Sequence, residues 1–335
     1  MSSIGWDIGG VNVKVARIAA DGTVRAMTVP FSIEHDADLL QDLLERIGRD
    51  IGAGACSHAV TMTAELSQRF QSKAEGVTFV LDALERAFPG APLHVLDTTG
   101  RFQSPAGARS RPIEVAASNW MATAMVVAAE HADVILLDMG TTTTDIIPIS
   151  AGLVQALGRT DPDRLASGEL VYSGALRTPV EALVRRVPWR SDTARVSADD
   201  FAHTADVHRW LGTLPPDAFS DGASLCTATR DHAGERLARV VCADRSIADD
   251  ADITAIAKHV AEAQVSGIAA AVRQVRARHP HLDAAAVLGL GAPIVAAAAG
   301  EAGLTLVAMD SSWNAANSRA APAVAVARLL EAKLG

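Results

Sequence analysis

The sequence contains few aromatic residues and few cysteines. Aromatic residues make up 4% of its 335 residues, so the core has to be built from Ala, Val, Leu and Ile. The three cysteines, Cys56, Cys226 and Cys242, are an odd number in a long chain, which predicts a reducing compartment and no disulfide framework. Hydrophobic residues at 49% and charged residues at 21% are typical of a folded globular protein and exclude intrinsic disorder.

The sequence also lacks an excess of positive charge and a long hydrophobic run. A formal charge of −9 argues against nucleic acid or an anionic membrane as a partner, since both require basic surface. The longest weakly polar run, Val287–Gly300, is shorter than the roughly 20 residues that span a bilayer. No basic and apolar leader pattern follows Met1. We therefore expect a cytoplasmic protein with a small-molecule ligand. A homo-oligomer is also compatible with the sequence.

The order of predicted elements indicates an α/β fold with two similar domains. A strand, a glycine turn, a second strand, a hairpin and a third strand occur near the N-terminus and again after residue 133. We expect a first domain at residues 1–115 and a second at 116–335, with an insertion at about 158–250. The Gly-, Pro- and Arg-rich residues 98–111 are predicted to be a loop, and Ser118 is predicted to cap a helix that ends near Glu130.

A constant offset supports the duplication. Asp7-Ile-Gly9 and Asp138-Met-Gly140 share the pattern Asp-x-Gly, and 138 − 7 = 131. Lys14 and Asp145 follow at the same offset, because 145 − 14 = 131. The pattern alone is common, but two copies with the same flanking strands are a stronger indication of an internal repeat.

Each Asp-x-Gly hairpin has the features of a phosphate-binding turn. A tight turn of small residues lets backbone N–H groups point at phosphate oxygens, and an Asp at the end of the preceding strand can hold Mg²⁺ through water. Two facing hairpins would hold an oligophosphate from both sides, and Thr141–Thr144 would add hydroxyl donors. The alternative is that both are ordinary glycine hairpins and that the threonines reflect strand propensity alone.

Other residues suit chemistry near these hairpins. Lys14 is one of only four lysines in the chain and can act as a point charge on phosphate, although it could also be a solvated strand residue. Glu65 follows a predicted strand and could act as a base or simply as an acid at a helix start. Gly289 and Gly291 lie between a strand and a helix, where they could approach a ligand or allow close packing. Arg177 could bind an anion.

Together, these motifs resemble the superfamily of actin, sugar kinases and heat-shock-chaperone ATPases. Asp7–Lys14 would match its first phosphate loop, Asp138–Asp145 its second, and Gly289–Pro293 its nucleoside-side turn. Within the superfamily, Gly168–Pro179 is similar to the hydantoinase A/oxoprolinase family. Further segments resemble the branch of tetrahydromethanopterin-linked C1-transfer pathway proteins, which is similar to the archaeal coupling enzymes of methanofuran biosynthesis: Thr61–Leu66, Ser118–Trp120, Ala205–Val207 and Arg236–Arg239.

This resemblance implies a transferase rather than a kinase. The archaeal enzymes join an (aminomethyl)furan-methyl diphosphate to the phenol oxygen of a γ-glutamyl-tyramine, releasing diphosphate and forming an aryl ether. The implied cofactor is Mg²⁺, held by Asp7 and Asp138, and the partners are the diphosphate donor and the phenolic amine acceptor. The predicted catalytic residues are Asp7, Lys14, Glu65, Asp138 and Asp145. The predicted substrate-binding residues are Gly9, Gly10, Asn12, Asn119, Gly140, Thr141, Thr142, Thr143, Arg177, Gly289 and Gly291.

Two other functions fit the same motifs. An ATP-dependent small-molecule kinase or an oxoprolinase-like amidohydrolase would need a purine pocket beside Gly289–Pro293 as well as the phosphate loops. A non-catalytic nucleotide-sensing subunit would need the loops but no general base. Release of diphosphate or of ADP would distinguish the three.

Overall fold

The computed structural model describes residues 3–54, 56–221 and 229–334, so Cys226 lies outside the described residues. Its strands are, in chain order, β1 (Ser3–Ile8), β2 (Asn12–Ile18), β3 (Val24–Pro30), β4 (Ser57–Met62), β5 (Leu93–Leu96), β6 (Phe102–Gln103), β7 (Val134–Met139), β8 (Thr144–Ser150), β9 (Leu153–Val154), β10 (Leu170–Val171), β11 (Arg186–Trp189), β12 (Asp192–Arg195), β13 (Ala284–Gly289) and β14 (Thr305–Leu306).

Helices follow or separate these strands. They are α1 (Ile33–Asp36), α2 (Leu40–Ile51), α3 (Lys73–Ala87), α4 (Pro105–Ser110), α5 (Pro112–Val115), α6 (Asn119–Glu130), α7 (Asp161–Ser167), α8 (Val180–Leu183), α9 (Thr204–Leu211), α10 (Arg230–Arg239), α11 (Asp250–Arg278), α12 (Ala292–Glu301), α13 (Ala315–Arg319) and α14 (Ala321–Leu334). Short 3-10 segments cover Ala37–Leu39, Ala64–Leu66 and Pro216–Asp221. Within the described residues, no helix is long and apolar enough to cross a membrane.

The chain forms two compact units, each made of separate stretches of sequence. The first unit contains Met1–Val134, Ile147–Ala166 and Ala308–Gly335, and the second contains Ile135–Ile146 and Ser167–Val307. The units therefore divide the chain differently from the domains expected at 1–115 and 116–335. The main reason is that α6 and α14 pack together within the first unit, and α14 also covers β1.

The two main sheets have a similar strand order at their centres. In the first, the path is β3-β2-β1-β4-β5-β6, with β1 antiparallel to β2 and parallel to β4. In the second, the path is β10-β8-β7-β13-β14, with β9 also paired to β8 and β13 parallel to β7. A hairpin followed by parallel strands thus occurs twice, and the predicted α/β duplication is confirmed at the level of topology. The predicted central cleft stays a prediction.

Buried aliphatic side chains hold each sheet against its helices. Every residue of β1 and of β7 is buried, as expected for central strands covered on both faces. Helix α2 buries Leu40, Leu43, Leu44 and Ile47 on one side, at helical spacing. The core contains few aromatic residues, in agreement with the composition.

Two local predictions from the sequence are wrong. Residues 98–111 are not a plain loop, because they contain β6 and α4. The Ser104 hydroxyl accepts a hydrogen bond from the Gly107 N–H, and Pro105 occupies the first turn, so a capped helix forms despite the Gly and Pro content. Ser118 precedes α6 but makes no capping hydrogen bond with its side chain.

Candidate active site

The first hairpin brings Asp7 and Lys14 together. Asp7 lies opposite Lys14 in the antiparallel pair of β1 and β2, so both side chains are on the same face of the sheet. The Lys14 Nζ lies 3.2 Å from the Asp7 Oδ2, and the side chains are 17% and 2% exposed, respectively. Thr61 lies beside Asp7 on β4, and its hydroxyl is 3.4 Å from the Asp7 Oδ1. Lys14 is therefore paired with Asp7 and mostly buried, and its predicted role toward phosphate stays a prediction.

The turn of this hairpin is closed by its backbone. The Gly9 N–H donates to the Asn12 carbonyl at 3.0 Å, and a β-carbon on Gly9 would lie 2.8 Å from that same oxygen. Gly10 has open space where a β-carbon would project. Asn12 is buried, with 5% exposure. The turn thus has two consecutive residues without side chains, a feature that phosphate-binding turns share.

The second hairpin repeats this hydrogen bond at the predicted offset. The Gly140 N–H donates to the Thr143 carbonyl at 3.0 Å, and both residues lie 131 positions after their counterparts Gly9 and Asn12. Asp138 is buried near the end of β7, with 8% exposure. The side chains of Thr141 and Thr142 are partly buried, and their hydroxyl oxygens lie 3.4 Å apart. The shared hydrogen bond is direct structural evidence for the repeat.

A segment that the sequence analysis did not place braces the second hairpin. The Ala175 N–H donates to the Gly140 carbonyl, and the N–H groups of Leu176 and Arg177 both donate to the Thr141 carbonyl, at 3.0 to 3.1 Å. Gly174 packs so closely that a β-carbon there would lie 2.5 Å from the Thr142 backbone. The backbone of Arg177 therefore lies against the hairpin. Arg177 belongs to the motif Gly168–Pro179, which resembles the family.

Buried polar side chains hold the segment Ser173–Arg177 in place by hydrogen bonds. The Gln264 Nε2 donates to the Ser173 hydroxyl and to the Gly174 carbonyl, each at 2.9 Å. The Gln264 Oε1 lies 2.9 Å from the His208 Nε2, and Thr204 donates its hydroxyl hydrogen to the Gly174 carbonyl at 3.0 Å. Gln264 and His208 are each 1% exposed. Sequence reasoning missed them because they lie more than 60 residues from the hairpin, on helices α9 and α11.

The late glycines adjoin Asp138. Gly289 has a φ of +88°, and a β-carbon there would lie 2.5 Å from the Asp138 Oδ1. A β-carbon on Gly291 would meet the Met139 side chain, and the Gly291 N–H donates to the Met139 carbonyl at 3.0 Å. Both glycines therefore allow close packing against β7, which was the simpler interpretation of this turn. Their role toward a ligand stays a prediction.

Two further predicted residues lie at separate places. Asp145 is on β8, opposite Leu170 of β10, and is half-buried. Asn119 is the first residue of α6 in the first unit and is also half-buried. Nothing in the geometry of these two residues assigns them a ligand, so their predicted roles stay predictions.

Glu65 has the most unusual environment of the predicted residues. It follows the carboxyl end of β4, the strand that pairs with β1, and it is 2% exposed. Among the described residues, neither carboxylate oxygen accepts a hydrogen bond of good geometry. Burial raises the pKa of Glu65 to about 7, a rise that the Lys73 ammonium opposes. The Lys73 Nζ lies 3.7 Å from the Glu65 Oε1.

Strained backbone lies next to this carboxyl group. Ala117 has a φ of +49°, which is uncommon for a residue with a β-carbon. Its N–H group favours the charged form of Glu65 without forming a hydrogen bond of good geometry. Such strain is found preferentially at functional sites. The site around Glu65 therefore combines a buried carboxyl group, one cation and a strained turn.

Comparison with known proteins identifies the family. The sequence pattern of the family described as Hydantoinase/oxoprolinase matches residues 57–333. This chain belongs to that family. It is 35% identical, over 99% of its length and 98% of the relative's, to the (4-{4-[2-(gamma-L-glutamylamino)ethyl]phenoxymethyl}furan-2-yl)methanamine synthase of Methanocaldococcus jannaschii. The synthase of the same name from Methanococcus vannielii is 38% identical over 33% of this chain and 50% of its own length.

A solved structure shows the same fold at low identity. A nucleotide-free acetone carboxylase structure, from work on ATP-dependent acetone carboxylation, has a TM-score of 0.54 and 12% sequence identity. It covers 96% of this chain and 70% of its own chain. At this identity the likeness concerns the fold alone. The predicted membership of the hydantoinase/oxoprolinase family is confirmed, and so is the predicted actin-like fold.

Proposed function

We propose that this protein is a transferase that forms an aryl ether between a furan-methyl group and a phenol. The observation that carries the proposal is the full-length similarity to a synthase whose named product contains a phenoxymethyl-furan bearing a methanamine. The donor would be an (aminomethyl)furan-methyl diphosphate and the acceptor a phenolic amine such as γ-glutamyl-tyramine. The expected location remains the cytoplasm.

The proposed step breaks one bond and forms one. The bond between the methylene carbon and the diphosphate oxygen breaks, and its electron pair leaves with diphosphate. The phenol oxygen forms the new bond to that carbon, and its proton passes to a base. The furan oxygen can stabilise positive charge at the methylene carbon, so a good leaving group and a water-poor site favour the reaction.

The glycine hairpins suit the diphosphate group. Lys14 supplies a cation at the first hairpin, where the β-carbon position of Gly10 is open, and Thr141 and Thr142 supply hydroxyl groups at the second. The ammonium group and the hydroxyl groups can each bind phosphate oxygens, and neither kind of group selects for a purine. This support is chemical, and direct contact with a donor remains part of the proposal.

Mg²⁺ is the cofactor that fits this role. No group of three or more metal-ligating side chains occurs in the described part of the chain. Asp7 and Asp138 each stand as a buried carboxylate at a glycine turn, which suits an ion that keeps most of its water ligands. Bound there, Mg²⁺ would neutralise charge on the leaving diphosphate.

Glu65 is the proposed base. Its carboxyl group has no hydrogen-bond partner among the described residues, and a phenol hydroxyl would supply one. A base with a pKa of about 7 is balanced between being ionised and being basic enough to accept a proton at neutral pH. Asp138 and Asp145 are the other candidates from the sequence. Asp138, however, is the proposed Mg²⁺ ligand, and Asp145 lies opposite Leu170 on β8, the strand that follows the second glycine turn.

Product analysis tests the proposal. The purified protein, Mg²⁺, the furan-methyl diphosphate and γ-glutamyl-tyramine should yield one diphosphate per ether, measured by a phosphate assay after pyrophosphatase treatment and by mass spectrometry. Omitting ATP should leave the yield unchanged. Formation of ADP from ATP with a phosphorylated furan alcohol, and no ether, would instead establish the kinase function.

A further inference from the structure

The cation beside Glu65, Lys73, also contacts a second carboxylate. The Lys73 Nζ lies 2.8 Å from the Asp161 Oδ2 but 3.7 Å from the Glu65 Oε1, so its hydrogen bond goes to Asp161. The exposed fractions of the three side chains are 22% for Lys73, 17% for Asp161 and 0% for Glu65. All three residues belong to the first unit.

The surroundings of Glu65 contain few other charges. It lies in the 3-10 segment Ala64–Leu66, which packs against α3, and Gly76 of α3 approaches it so closely that a β-carbon there would lie 2.6 Å from the Glu65 Cα. Of the ionised groups on the packed elements, Lys73 and Asp161 act on Glu65, with opposite signs. The Glu75 carboxylate, also on α3, is exposed and accepts a hydrogen bond from the Gln71 N–H.

We propose that Lys73 and Asp161 are positioning residues that together set the charge of Glu65. Asp161 holds the Lys73 ammonium away from a direct hydrogen bond with Glu65, so that Glu65 stays able to both bind and release a proton. Lys73 in turn keeps the buried Glu65 from being permanently protonated. This inference rests on the proposed function, since it assigns these residues a purpose in the same reaction.

The proposal requires opposite effects from the two substitutions. Lys73→Met removes the cation that stabilises the ionised form of Glu65. The protonated form becomes relatively more stable, and the titration of Glu65 moves to higher pH. Asp161→Asn removes the competing carboxylate, so Lys73 pairs with Glu65 and the titration moves to lower pH. Each shift should be about one pH unit, because an opposite charge at this range shifts a carboxyl by roughly 1–3 units and Lys73 is partly solvated.

Carboxyl NMR on the intact protein measures this directly. Protein labelled with ¹³C at the Glu side-chain carboxyl is titrated from pH 4 to 9, and the Glu65 resonance is assigned by its loss in Glu65→Gln. Matched controls are Lys258→Met and Asp163→Asn, because Lys258 is exposed on α11 and Asp163 is exposed on the same helix as Asp161. Both controls should titrate as the unmodified protein does.

Three further variants serve as checks on the test. Lys73→Gln repeats the loss of charge with a polar side chain if Lys73→Met does not fold, and Lys73→Arg should restore a nearly normal titration. In the double variant Lys73→Met/Asp161→Asn, the downward shift due to Asp161→Asn should become smaller, because only the direct repulsion between Asp161 and Glu65 is then removed.

The acid limb of kcat/KM for ether formation should follow the NMR shifts. Shifts in the same direction for Lys73→Met and Asp161→Asn, or no shift in either, would overturn the inference. Opposite NMR shifts without any ether product would support the charge control and reject the proposed function. Opposite NMR shifts with an unmoved acid limb would show that the reaction does not use Glu65, and would overturn the assigned role of Lys73 and Asp161.

Discussion

Asp7 is almost completely buried, whereas its ion-pair partner Lys14 is partly exposed. A lysine in this position can turn toward a phosphate oxygen, while the Asp7 carboxylate keeps the nearby Thr61 hydroxyl. The pair is thus suited to exchange one partner when a ligand arrives. A wholly structural pair would be expected to lose stability, but not ligand affinity, when its lysine is removed.

We expect Lys14→Ala to weaken diphosphate binding by roughly ten- to a hundredfold, because a hydrogen bond to a charged group contributes about 1.5–3 kcal/mol. Isothermal titration calorimetry with diphosphate and Mg²⁺ measures this, below the temperature at which the variant unfolds. Lys333→Ala is the matched control, and binding of the phenolic acceptor should change little. Equal diphosphate affinity in Lys14→Ala and the unmodified protein would remove Lys14 from the site.

At the scale of elements, the segment from Ser173 to Arg177 determines the shape of the second hairpin. It receives hydrogen bonds from Gln264 and Thr204 on one side and donates to the hairpin on the other. Gly174 is the point of closest approach, because a β-carbon at this position would lie within 2.6 Å of the backbone of Thr141 and Thr142. Backbone atoms cannot move aside as the end of a flexible side chain can.

Gly174→Ala should therefore displace the second hairpin and lower kcat/KM with the diphosphate donor by more than about tenfold, since small misplacements of binding groups are costly in rate. Steady-state kinetics and thermal unfolding of the same variant separate misplacement from unfolding. Gly267→Ala is the matched control, because Gly267 lies on α11 with open space around it. A fully active Gly174→Ala would show that the hairpin does not depend on this contact.

The repeat can be predicted from the sequence because its evidence is local. The Asp-x-Gly turns, their offset of 131 and their flanking strands are sufficient to predict two similar sheets, and the shared Gly9 and Gly140 hydrogen bonds agree. Glu65 is also a candidate from the sequence alone, because it follows a predicted strand. These features depend on residues that are close together in the chain.

What the sequence does not reveal depends on distant contacts. Lys73 and Asp161 are 88 residues apart, and Gln264 lies 90 residues from Gly174, so neither contact leaves a spacing pattern. The last helix likewise packs against the first sheet, which is a contact between distant parts of the chain. Helix α4 differs, because Ser104 and Pro105 form a recognisable helix start that the Gly and Pro content of the segment obscures.

At the scale of the whole molecule, buried titratable groups make the free energy of unfolding depend on pH, and their contributions have opposite signs. His58 is completely buried, accepts a hydrogen bond at Nδ1 from Trp6 and has no partner for Nε2 among the described residues. Burial lowers the pKa of His58 to about 4 and raises that of Glu65 to about 7. In the second unit, burial likewise raises the pKa of Asp206 and lowers that of His208.

The signs follow from proton binding. Between about pH 4.5 and 6.5 the unfolded chain binds a proton at His58 that the native protein does not, so this residue makes stability increase with pH. Over the same range the native protein binds a proton at Glu65 that the unfolded chain has released, so stability decreases as pH rises. The two contributions oppose each other and should largely cancel.

Single substitutions should therefore reveal opposite slopes. Relative to the unmodified protein, the free energy of unfolding should rise with pH in Glu65→Gln and fall with pH in His58→Gln, each by about 1 kcal/mol per pH unit near pH 5.5. Above pH 7 the Glu65→Gln protein should be the more stable one, because it no longer buries a charge. Urea unfolding at fixed pH values from 4.5 to 8 provides the comparison.

The comparison uses differences between variants, so the pair Asp206 and His208 affects all three proteins equally. Glu65 and His58 both belong to the first unit, so one unfolding transition reports on both. The difference in free energy of unfolding between the double variant Glu65→Gln/His58→Gln and the unmodified protein should be nearly independent of pH if the two residues titrate independently. Parallel pH profiles for the unmodified protein and both single variants would mean that neither group is desolvated as described. A stability gain in Glu65→Gln with loss of ether formation would identify the buried carboxylate as one kept for function at the expense of stability.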